Sequence, residues 1–289
     1  MIRVVSASHY FQPVADDALP SLADSLRDLC RENIRRIDRF IQLALLGSAR
    51  CASGQTLQPD CGIYLGSGIG PIGNNIETQR QLIQRGDTPK PVNFINTLGA
   101  SAGFYAARNL GLAGQNLFIS RRGASFEAAL GAAIADLAVG AAPQALVGVV
   151  EEVALPLNDH RQRQNLAADA PLAEGSHWLL LERAGATDSQ IDFGRYPDRE
   201  ALEDALRSGW RDGDSLLCGA SMAPDAAATF QNEFPAAEPV IGGAFHDSIS
   251  GARVTGFIVS QRPGQLFLAD GSTAAGWQLF RCRAQLPED

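Results

Sequence analysis

The chain has 289 residues, of which 45% are apolar and 19% charged, and its net charge is −8. This composition is ordinary for a globular protein with a sizeable core, built as one large domain or two closely packed halves. The acidic balance argues against a nucleic-acid or anionic-membrane partner. We expect no signal peptide and no membrane span, because the N-terminus lacks a basic segment followed by an apolar run and the apolar runs elsewhere are short.

The cysteines are odd in number and lack metal-ligand spacing: Cys30, Cys51, Cys61, Cys218 and Cys282. We expect them to be reduced, buried thiols in a cytoplasmic protein. Neither a zinc site nor a cofactor is expected.

Strands and helices alternate along the first half of the chain. The hydrophobic pattern predicts a short strand at 3–7, a Pro-containing loop at 9–21 and helices at 22–29 and 33–46. It then predicts, in order, a buried strand at 62–66, a glycine loop at 67–73, a helix at 75–85, an Ala-rich helix at 101–110, a strand at 115–120, a second Ala-rich helix at 126–140 and a buried strand at 144–150. A polar, irregular stretch at 155–172 precedes a strand at 178–182.

The second half is shorter and follows a similar order. It contains helices at 199–208 and 224–234, a strand at 215–219 and a hairpin of strands at 265–269 and 277–283. Alternating helices and buried strands predict a layered α/β fold. The repeated order of strand, turn, helix and apolar strand indicates a weak two-half similarity.

The turn between strand 115–120 and the second Ala-rich helix contains Arg121, Arg122, Gly123, Ala124 and Ser125. Many enzymes hold a nucleophile at such a turn, because the helix dipole and the backbone N–H groups stabilise negative charge there. This turn holds two arginines and no cysteine.

Several stretches resemble β-ketoacyl synthases of the thiolase-like fold. They are the segment Arg-Ile-Asp-Arg-Phe-Ile-Gln-Leu-Ala-Leu that starts at residue 36, the strand and glycine loop at 65–73, the segment 91–115, the strand at 144–152 and the Ala-Glu-Gly-Ser step at 173–176. The resemblance is good between residues 36 and 183 and thin beyond them, where the C-terminal half looks shortened.

The resemblance implies a fold as well as a family. Two similar halves would stack into a five-layer αβαβα sandwich over residues 1–289. We expect a ketosynthase-like N-terminal half at 1–160 and a reduced C-terminal half at 161–289.

The resemblance also implies where catalytic residues should lie. Family members place a Cys, which takes the acyl chain, in the turn before the buried helix; two His from the C-terminal half hold the thioester carbonyl and promote decarboxylation of the malonyl extender. Counting back from the helix puts the Cys position at Arg122 or Gly123, neither of which is a nucleophile. The first His should follow strand 215–218, but that turn begins Cys218-Gly-Ala-Ser and has no His. His246 matches the second His to within one position.

Chain-length factors are a branch of this family that lacks the Cys in the same way. They pair with an active synthase across the face that synthases use to homodimerise, and they help to shape the acyl tunnel. The resemblance therefore implies a non-catalytic subunit of a heterodimer in fatty-acid, polyketide or aryl-polyene biosynthesis, with strand 115–120 near the pseudo-twofold axis. The acyl carrier protein is acidic like this chain, so we expect it to dock mainly on the partner.

Other functions remain open. A degenerate thiolase-fold acyltransferase or decarboxylase, acting on carrier-bound acyl groups, would use His246 and Ser125; a homodimeric scaffold would need neither. Ser125 lacks the Gly-x-Ser-x-Gly frame of a nucleophile and suits a helix cap. Arg121 and Arg122 suit either an anionic ligand, such as a phosphopantetheine phosphate or a carboxylate, or an ion pair, across the dimer interface or with Glu127.

The remaining polar motifs have weaker functional signals. The glycines at 68–73 match a dinucleotide loop, but the acidic residue at the required distance is Asp87, which lies in a Pro-bounded loop. His9, His160 and His177 look incidental, and the sequence identifies no partner for the Asp next to His160. Cys218 suits a buried thiol better than a second nucleophile.

Overall fold

The computed structural model describes residues 1–31, 37–185, 189–236, 244 and 246–284. The strands in this part are β1 (Ile2–Val14), β2 (Gly62–Gly66), β3 (Asn116–Ile119), β4 (Gln144–Glu151), β5 (Leu172–Arg183), β6 (Ile191–Tyr196), β7 (Ser215–Cys218), β8 (Gln265–Ser272) and β9 (Gly276–Arg283). The α-helices are α1 (Ala23–Arg27), α2 (Arg39–Ala52), α3 (Ile72–Gln79), α4 (Pro91–Ile95), α5 (Ala100–Leu110), α6 (Ser125–Val139), α7 (Leu157–Arg163), α8 (Arg199–Gly209), α9 (Pro224–Glu233) and α10 (Ile249–Val259). A π-helical turn, Arg80–Arg85, continues α3.

All nine strands belong to one sheet, in the order β3-β2-β4-β5-β1-β6-β9-β8-β7. β2 pairs in parallel with β3 and β4, whereas β5 pairs antiparallel with β4 and β1. The junction between β1 and β6 is a single antiparallel pair, Ile2 with Ile191. The sheet therefore divides there into a first part of five strands and a second part of four.

The second part repeats the pairing of the first. β7 and β8 are parallel like β2 and β4, and β9 pairs antiparallel with β8 and β6 as β5 does with β4 and β1. At the position equivalent to β3, the described residues show one parallel bridge, between Leu216 and Ala236. The predicted similarity of the two halves is therefore confirmed. That the second half is reduced stays a prediction, because residues 237–243 lie outside the described residues.

The boundary between the halves, which we place at residue 160, stays a prediction. β5 lies beyond residue 160, yet it pairs with β4 and β1. Strand pairing therefore favours a boundary between β5 and β6.

Helices cover both parts of the sheet and also separate them. α2 and α5 pack on one face of the first part, α8 and α9 pack on the second part, and α6 and α10 lie between the two. The central core joins Phe126 of α6 and Val254 of α10 to apolar side chains of both parts, such as Val147 and Leu268. This arrangement is the expected five-layer sandwich.

The sequence explains why α6 can occupy the middle layer. Its alanines leave little side chain between the helix and its neighbours, and its inner face is fully buried at Phe126, Leu130 and Leu137. Beside it, α10 approaches β4 so closely that a Cβ on Gly251 would lie 2.3 Å from Val149. Helix α2, which packs on the first part of the sheet, is capped at its N-terminus by Asp38, whose side chain accepts a hydrogen bond from the N–H of Ile41.

The first strand is longer than the sequence predicts. A strand at 3–7 followed by a loop at 9–21 is wrong, because β1 continues to Val14. Polar residues and Pro13 weaken the strand pattern, but pairing along the full length of β5 overrides it. This extension places His9 on the strand, opposite His177 of β5, where it is partly buried.

Other differences are also local. Residues 155–172 are not irregular, since they contain α7 and the first residue of β5; β5 itself begins six residues before the predicted strand at 178–182. The strand β6 was not predicted, although Ile191 and Phe193 alternate with polar residues. Of the predicted helix at 33–46, residues 33–36 lie outside the described residues, and α2 starts at Arg39.

Candidate functional site

The turn between β3 and α6 lies where the family resemblance places the nucleophile. β3 ends at Ile119, and α6 begins at Ser125. Between them Arg122 adopts a left-handed backbone conformation, with φ of 52°. Such a conformation is rare for a residue with a long side chain and is found in strained turns at functional sites. The turn thus has such a backbone conformation and contains no cysteine.

Gly123 has no room for a side chain. A Cβ built on it would lie 2.4 Å from the Cβ of Ala220 and 3.3 Å from the carbonyl oxygen of Asp247. Ala220 belongs to the turn after β7, where the family's first His is expected, and Asp247 follows His246. The three segments that the resemblance expects to carry catalytic residues therefore lie together. At Gly123 they are in direct contact, with no space left for a side chain.

Ser125 holds the turn together. Its hydroxyl donates a hydrogen bond of 2.6 Å to the carbonyl of Arg122 and accepts one of 2.9 Å from the N–H of Arg121. The side chain is fully buried. Instead of capping the helix as expected, Ser125 joins two backbone groups of the turn by hydrogen bonds. This geometry does not favour a nucleophilic serine.

The thiols lie elsewhere. None of the five cysteines is disulfide-bonded. Burial raises the pKa of the Cys51 thiol to about 11 and those of Cys61 and Cys282 to about 12. Cys218, at the end of β7, has its pKa raised to about 11 by burial and by the nearby Asp270 carboxylate, and its sulfur lies 3.9 Å from the carbonyl of Ala227. Because the thiolate is the reactive form, none of these four is prepared for nucleophilic attack.

Three histidines that are far apart in sequence form one cluster. The ring centroids of His177 and His246 are 5.1 Å apart, and those of His9 and His177 are 4.7 Å apart. Cross-strand pairing of β1 with β5 places His9 opposite His177. The cluster is not predicted from the sequence, because residue 9 is assigned there to a loop. The alternation of residues along β5 is the one local signal that the sequence offers for it.

The buried histidines are neutral. Burial lowers the pKa of His246 to about 3, and burial with two neighbouring imidazoles lowers the pKa of His177 well below its usual value. In the described residues no hydrogen-bond partner reaches either ring nitrogen of these two side chains. Gly175 lies beneath them, since a Cβ there would be 2.4 Å from Nε2 of His177 and 2.6 Å from Nε2 of His246.

His160 has a structural role. The N–H of Ala154 donates to its Nδ1 at 3.1 Å, and burial lowers its pKa to about 4. The neighbouring Asp159, for which the sequence identifies no partner, lies 3.8 Å from the guanidinium of Arg80.

Carboxylates occupy the glycine loop at 67–73. Glu151 accepts hydrogen bonds from the N–H of Gly68 and from the hydroxyls of Ser67 and Ser248, at 2.5, 3.0 and 2.7 Å. The N–H of Gly73 donates to Glu152 at 2.7 Å. A dinucleotide phosphate would need such N–H groups and would be repelled by these side chains when ionised. The loop is therefore a structural one.

The two arginines of the turn have different surroundings. Both are exposed, and Arg122 lies near Asp247; burial raises the pKa of this carboxyl, and the charge of Arg122 partly offsets the rise. The expected ion pair with Glu127 is not formed in the described residues, where neither oxygen of that buried carboxyl has a hydrogen-bond partner; an ion pair across a dimer interface stays a prediction. Burial and the nearby Asp270 raise the pKa of Glu127 to about 8.

One edge of the sheet is open, and an apolar surface adjoins it. β3 is the edge strand, and α5 lies directly on it, since a Cβ on Gly99 would meet the ring of Phe118 at 2.2 Å. The α4–α5 patch consists of exposed apolar residues on and around these helices: Val92, Phe94, Ile95, Leu98 and Phe104. An unpaired edge strand beside an exposed apolar patch is a typical site of protein association.

The described residues contain no group of three or more His, Cys, Asp or Glu side chains placed to hold a metal ion. Within the same part of the chain, every helix is too short or too polar to cross a membrane.

Comparison with known proteins gives matches at the level of structure only. No protein-family model matches the sequence, and no curated protein is significantly similar to it. The ishigamide ketosynthase/chain length factor superposes with a TM-score of 0.70 at 18% identity, over 98% of this chain and 99% of the other. A β-ketoacyl synthase from Burkholderia phymatum STM815 superposes with a TM-score of 0.67 at 12% identity, and the type II PKS acyl-carrier protein complex with its ketosynthase (AntDE:AntF) with 0.66 at 14%, both over 98% of this chain and 99% of the other.

The structural match extends through the C-terminal half, where the sequence resemblance is thin. The chain therefore has the thiolase-like fold of the ketosynthases and chain length factors that it resembles.

Proposed function

We propose that this chain is a non-catalytic, ketosynthase-like subunit of the chain-length-factor type. The observation that carries the proposal is the contact between Gly123 and the turn after β7, which leaves no room for a side chain at Gly123, one of the two positions where the resemblance places the Cys; the other position is Arg122, which is not a nucleophile. Removing a nucleophile by substitution alone would leave a cavity. Here the space is filled, which suits a subunit whose contribution is shape rather than chemistry.

The partner in this proposal is an active ketosynthase. Three structural neighbours are described as ketosynthases, with a chain length factor or an acyl-carrier protein named beside two of them. In this chain β3 and the α4–α5 patch offer an edge strand and an apolar surface that a partner would cover. Main-chain pairing across β3 would place the strand near the pseudo-twofold axis.

The pathway assignment follows from the partner. We place the pair in fatty-acid, polyketide or aryl-polyene biosynthesis, where this subunit would wall off part of the acyl tunnel.

The acyl carrier protein would reach the complex mainly through the synthase, since this chain carries a net charge of −8 and like charges disfavour docking. The absence of disulfides among its cysteines supports a cytoplasmic location.

A residual acyltransferase or decarboxylase activity has less support. It would depend on Ser125 and His246, but the serine hydroxyl is engaged with backbone atoms and both residues are buried.

Co-purification tests the proposal. The chain is co-expressed with the synthase encoded nearest to it that retains the Cys and both His, and the mass of the purified species is measured by native mass spectrometry. We expect a one-to-one heterodimer whose condensing activity requires the partner's Cys. A stable homodimer that ignores the synthase would contradict the proposal.

A further inference from the structure

A cavity of about 220 Å³ lies between the two halves of the molecule, beside the closed turn. Arg121 reaches it from the turn before α6, Arg195 from the end of β6, Ser221 from the turn after β7, and Asp270 and Gln278 from the hairpin of β8 and β9. We call it the Arg121–Arg195 cavity. Among the groups described above, only Arg121 and Asp270 line it.

One side of the cavity consists of three residues on the paired strands β6, β9 and β8. Arg195 is the register partner of Gln278, and Gln278 is the register partner of Asp270. The Nε2 of Gln278 donates to Asp270 Oδ2 at 3.3 Å, and the N–H of Ser221 donates to Oδ1 at 2.9 Å. Both oxygens of the one acidic residue among the described lining residues are therefore engaged within the protein.

The two guanidinium groups are not engaged in this way. Arg121 and Arg195 are both exposed, and in the described part of the chain neither forms an ion pair. The guanidinium carbon of Arg195 lies 5.8 Å from the ring centroid of Phe193, a cation–π contact that does not use the N–H donors. On a chain with a net charge of −8, two unpaired guanidiniums facing one cavity are a local excess of positive charge.

We propose that the Arg121–Arg195 cavity binds a small anion through a carboxylate or phosphoryl group held between the two arginines. Guanidinium groups donate in a planar fork that matches the oxygens of both groups. The volume admits about seven water-sized groups at roughly 30 Å³ each, which suits a small organic acid or phosphate. The wall formed by Tyr196 and Trp277 provides an apolar surface for a short carbon chain attached to the head group.

The cavity is complete within one chain. Its occupation therefore does not depend on pairing with a synthase, and the two proposals fail separately.

Calorimetric titration of the full-length chain tests the inference, with inorganic phosphate and succinate as separate probes at constant ionic strength, so that screening does not change during the titration. We expect saturable binding of at least one probe, and the comparison tells a phosphoryl site from a carboxylate site. Arg121→Gln and Arg195→Gln should each weaken binding by about tenfold or more, since a charge-assisted hydrogen bond contributes about 1.5–3 kcal/mol.

Arg163→Gln is the matched control, because it removes one exposed arginine of α7 outside the cavity. Arg121→Lys keeps the charge but loses the fork, so it should bind with intermediate affinity. Thermal unfolding of each variant shows that it is folded. Absence of binding for both probes, or equal weakening by Arg163→Gln, would overturn the inference.

Discussion

Gly123 and Ala220 come from opposite halves of the fold and meet so closely that a Cβ on the glycine would lie 2.4 Å from that of the alanine. Gly123 is one of the two positions at which the family resemblance places the acyl-accepting Cys. In the proposed function this contact accounts for the loss of condensing chemistry, because the turn after β7 occupies the space that a side chain at Gly123 would need.

This contact predicts a double-mutant effect. Gly123→Ala should lower the free energy of unfolding by about 1–3 kcal/mol, because the added methyl group forces the turn after β7 to move. In the Ala220→Gly background the same substitution should cost less, and the difference is the coupling energy of the pair. Urea unfolding of the four proteins measures it. If Gly123→Ala costs the same in both backgrounds, the two segments do not close on each other.

The tie made by Ser125 predicts a second stability effect. Ser125→Ala removes the hydroxyl's hydrogen bonds to the N–H of Arg121 and to the carbonyl of Arg122, and the carbonyl keeps only the N–H of residue 125 as a donor. At about 0.5–1.5 kcal/mol for each lost bond, the free energy of unfolding should fall by about 1–3 kcal/mol. Ser208→Ala is the control, because that exposed hydroxyl bonds only to the carbonyl of Ala205 near the end of α8. Equal, small effects of both substitutions in urea unfolding would remove the structural role that we assign to Ser125.

Buried acids and bases predict a stability optimum in mildly acidic solution. Burial raises the pKa of Glu127 and Glu152 to about 8 and that of Glu151 to about 7, so these groups hold protons that the unfolded chain releases above pH 4.5. Their contribution is present below pH 4.5 and is lost as pH rises through 7–8. The lowered pKa values of His160 and His246 have the opposite consequence, since the unfolded chain gains protons below about pH 6.5.

Glu127→Gln isolates one of these groups. Each pH unit between 4.5 and about 8 costs at most about 1.4 kcal/mol for one such carboxyl, so the substitution should flatten the alkaline side of the stability profile and have little effect near pH 4.5. Thermal unfolding as a function of pH measures both sides. A variant with the same alkaline slope as the natural chain would show that Glu127 ionises freely in the folded state.

The α4–α5 patch predicts where a partner binds. Phe104, which is 56% exposed on α5, can be changed to Glu with little effect on the fold of the single chain. The heterodimer should nevertheless dissociate about tenfold more readily or worse, as expected for an aromatic residue in an interface. Val139→Glu, at an exposed position at the end of α6, is the control for adding a charge to an apolar surface residue. Analytical ultracentrifugation of the pair measures the difference; a Phe104 variant that pairs like the control would place the interface elsewhere.

The sequence predicts the first half of the fold better than the second. The buried strands β2 and β4 and the Ala-rich helix α6 are predicted from their largely apolar sequences. The turn at 121–125 is predicted from its place between a strand and that helix. β6 was missed because its alternation is short, and the extent of β1 was missed because polar residues such as His9 interrupt its pattern.

The candidate site shows the same limit. That the turn lacks a cysteine can be read from the sequence, but the contact of Gly123 with Ala220 joins residues of two halves and depends on how these halves stack. The clustering of His9 with His177 likewise depends on the pairing of β1 with β5, and that of His177 with His246 depends on the position of His246; neither has a local signal.

Intact-protein mass spectrometry tests the central claim most directly. The purified pair of this chain and its synthase is incubated with an acyl-loaded carrier protein, and the mass of each subunit is measured before and after. We predict that the acyl group appears on the synthase alone and that this chain keeps its mass. An acyl adduct on this chain, at Ser125 or at any cysteine, would contradict the account.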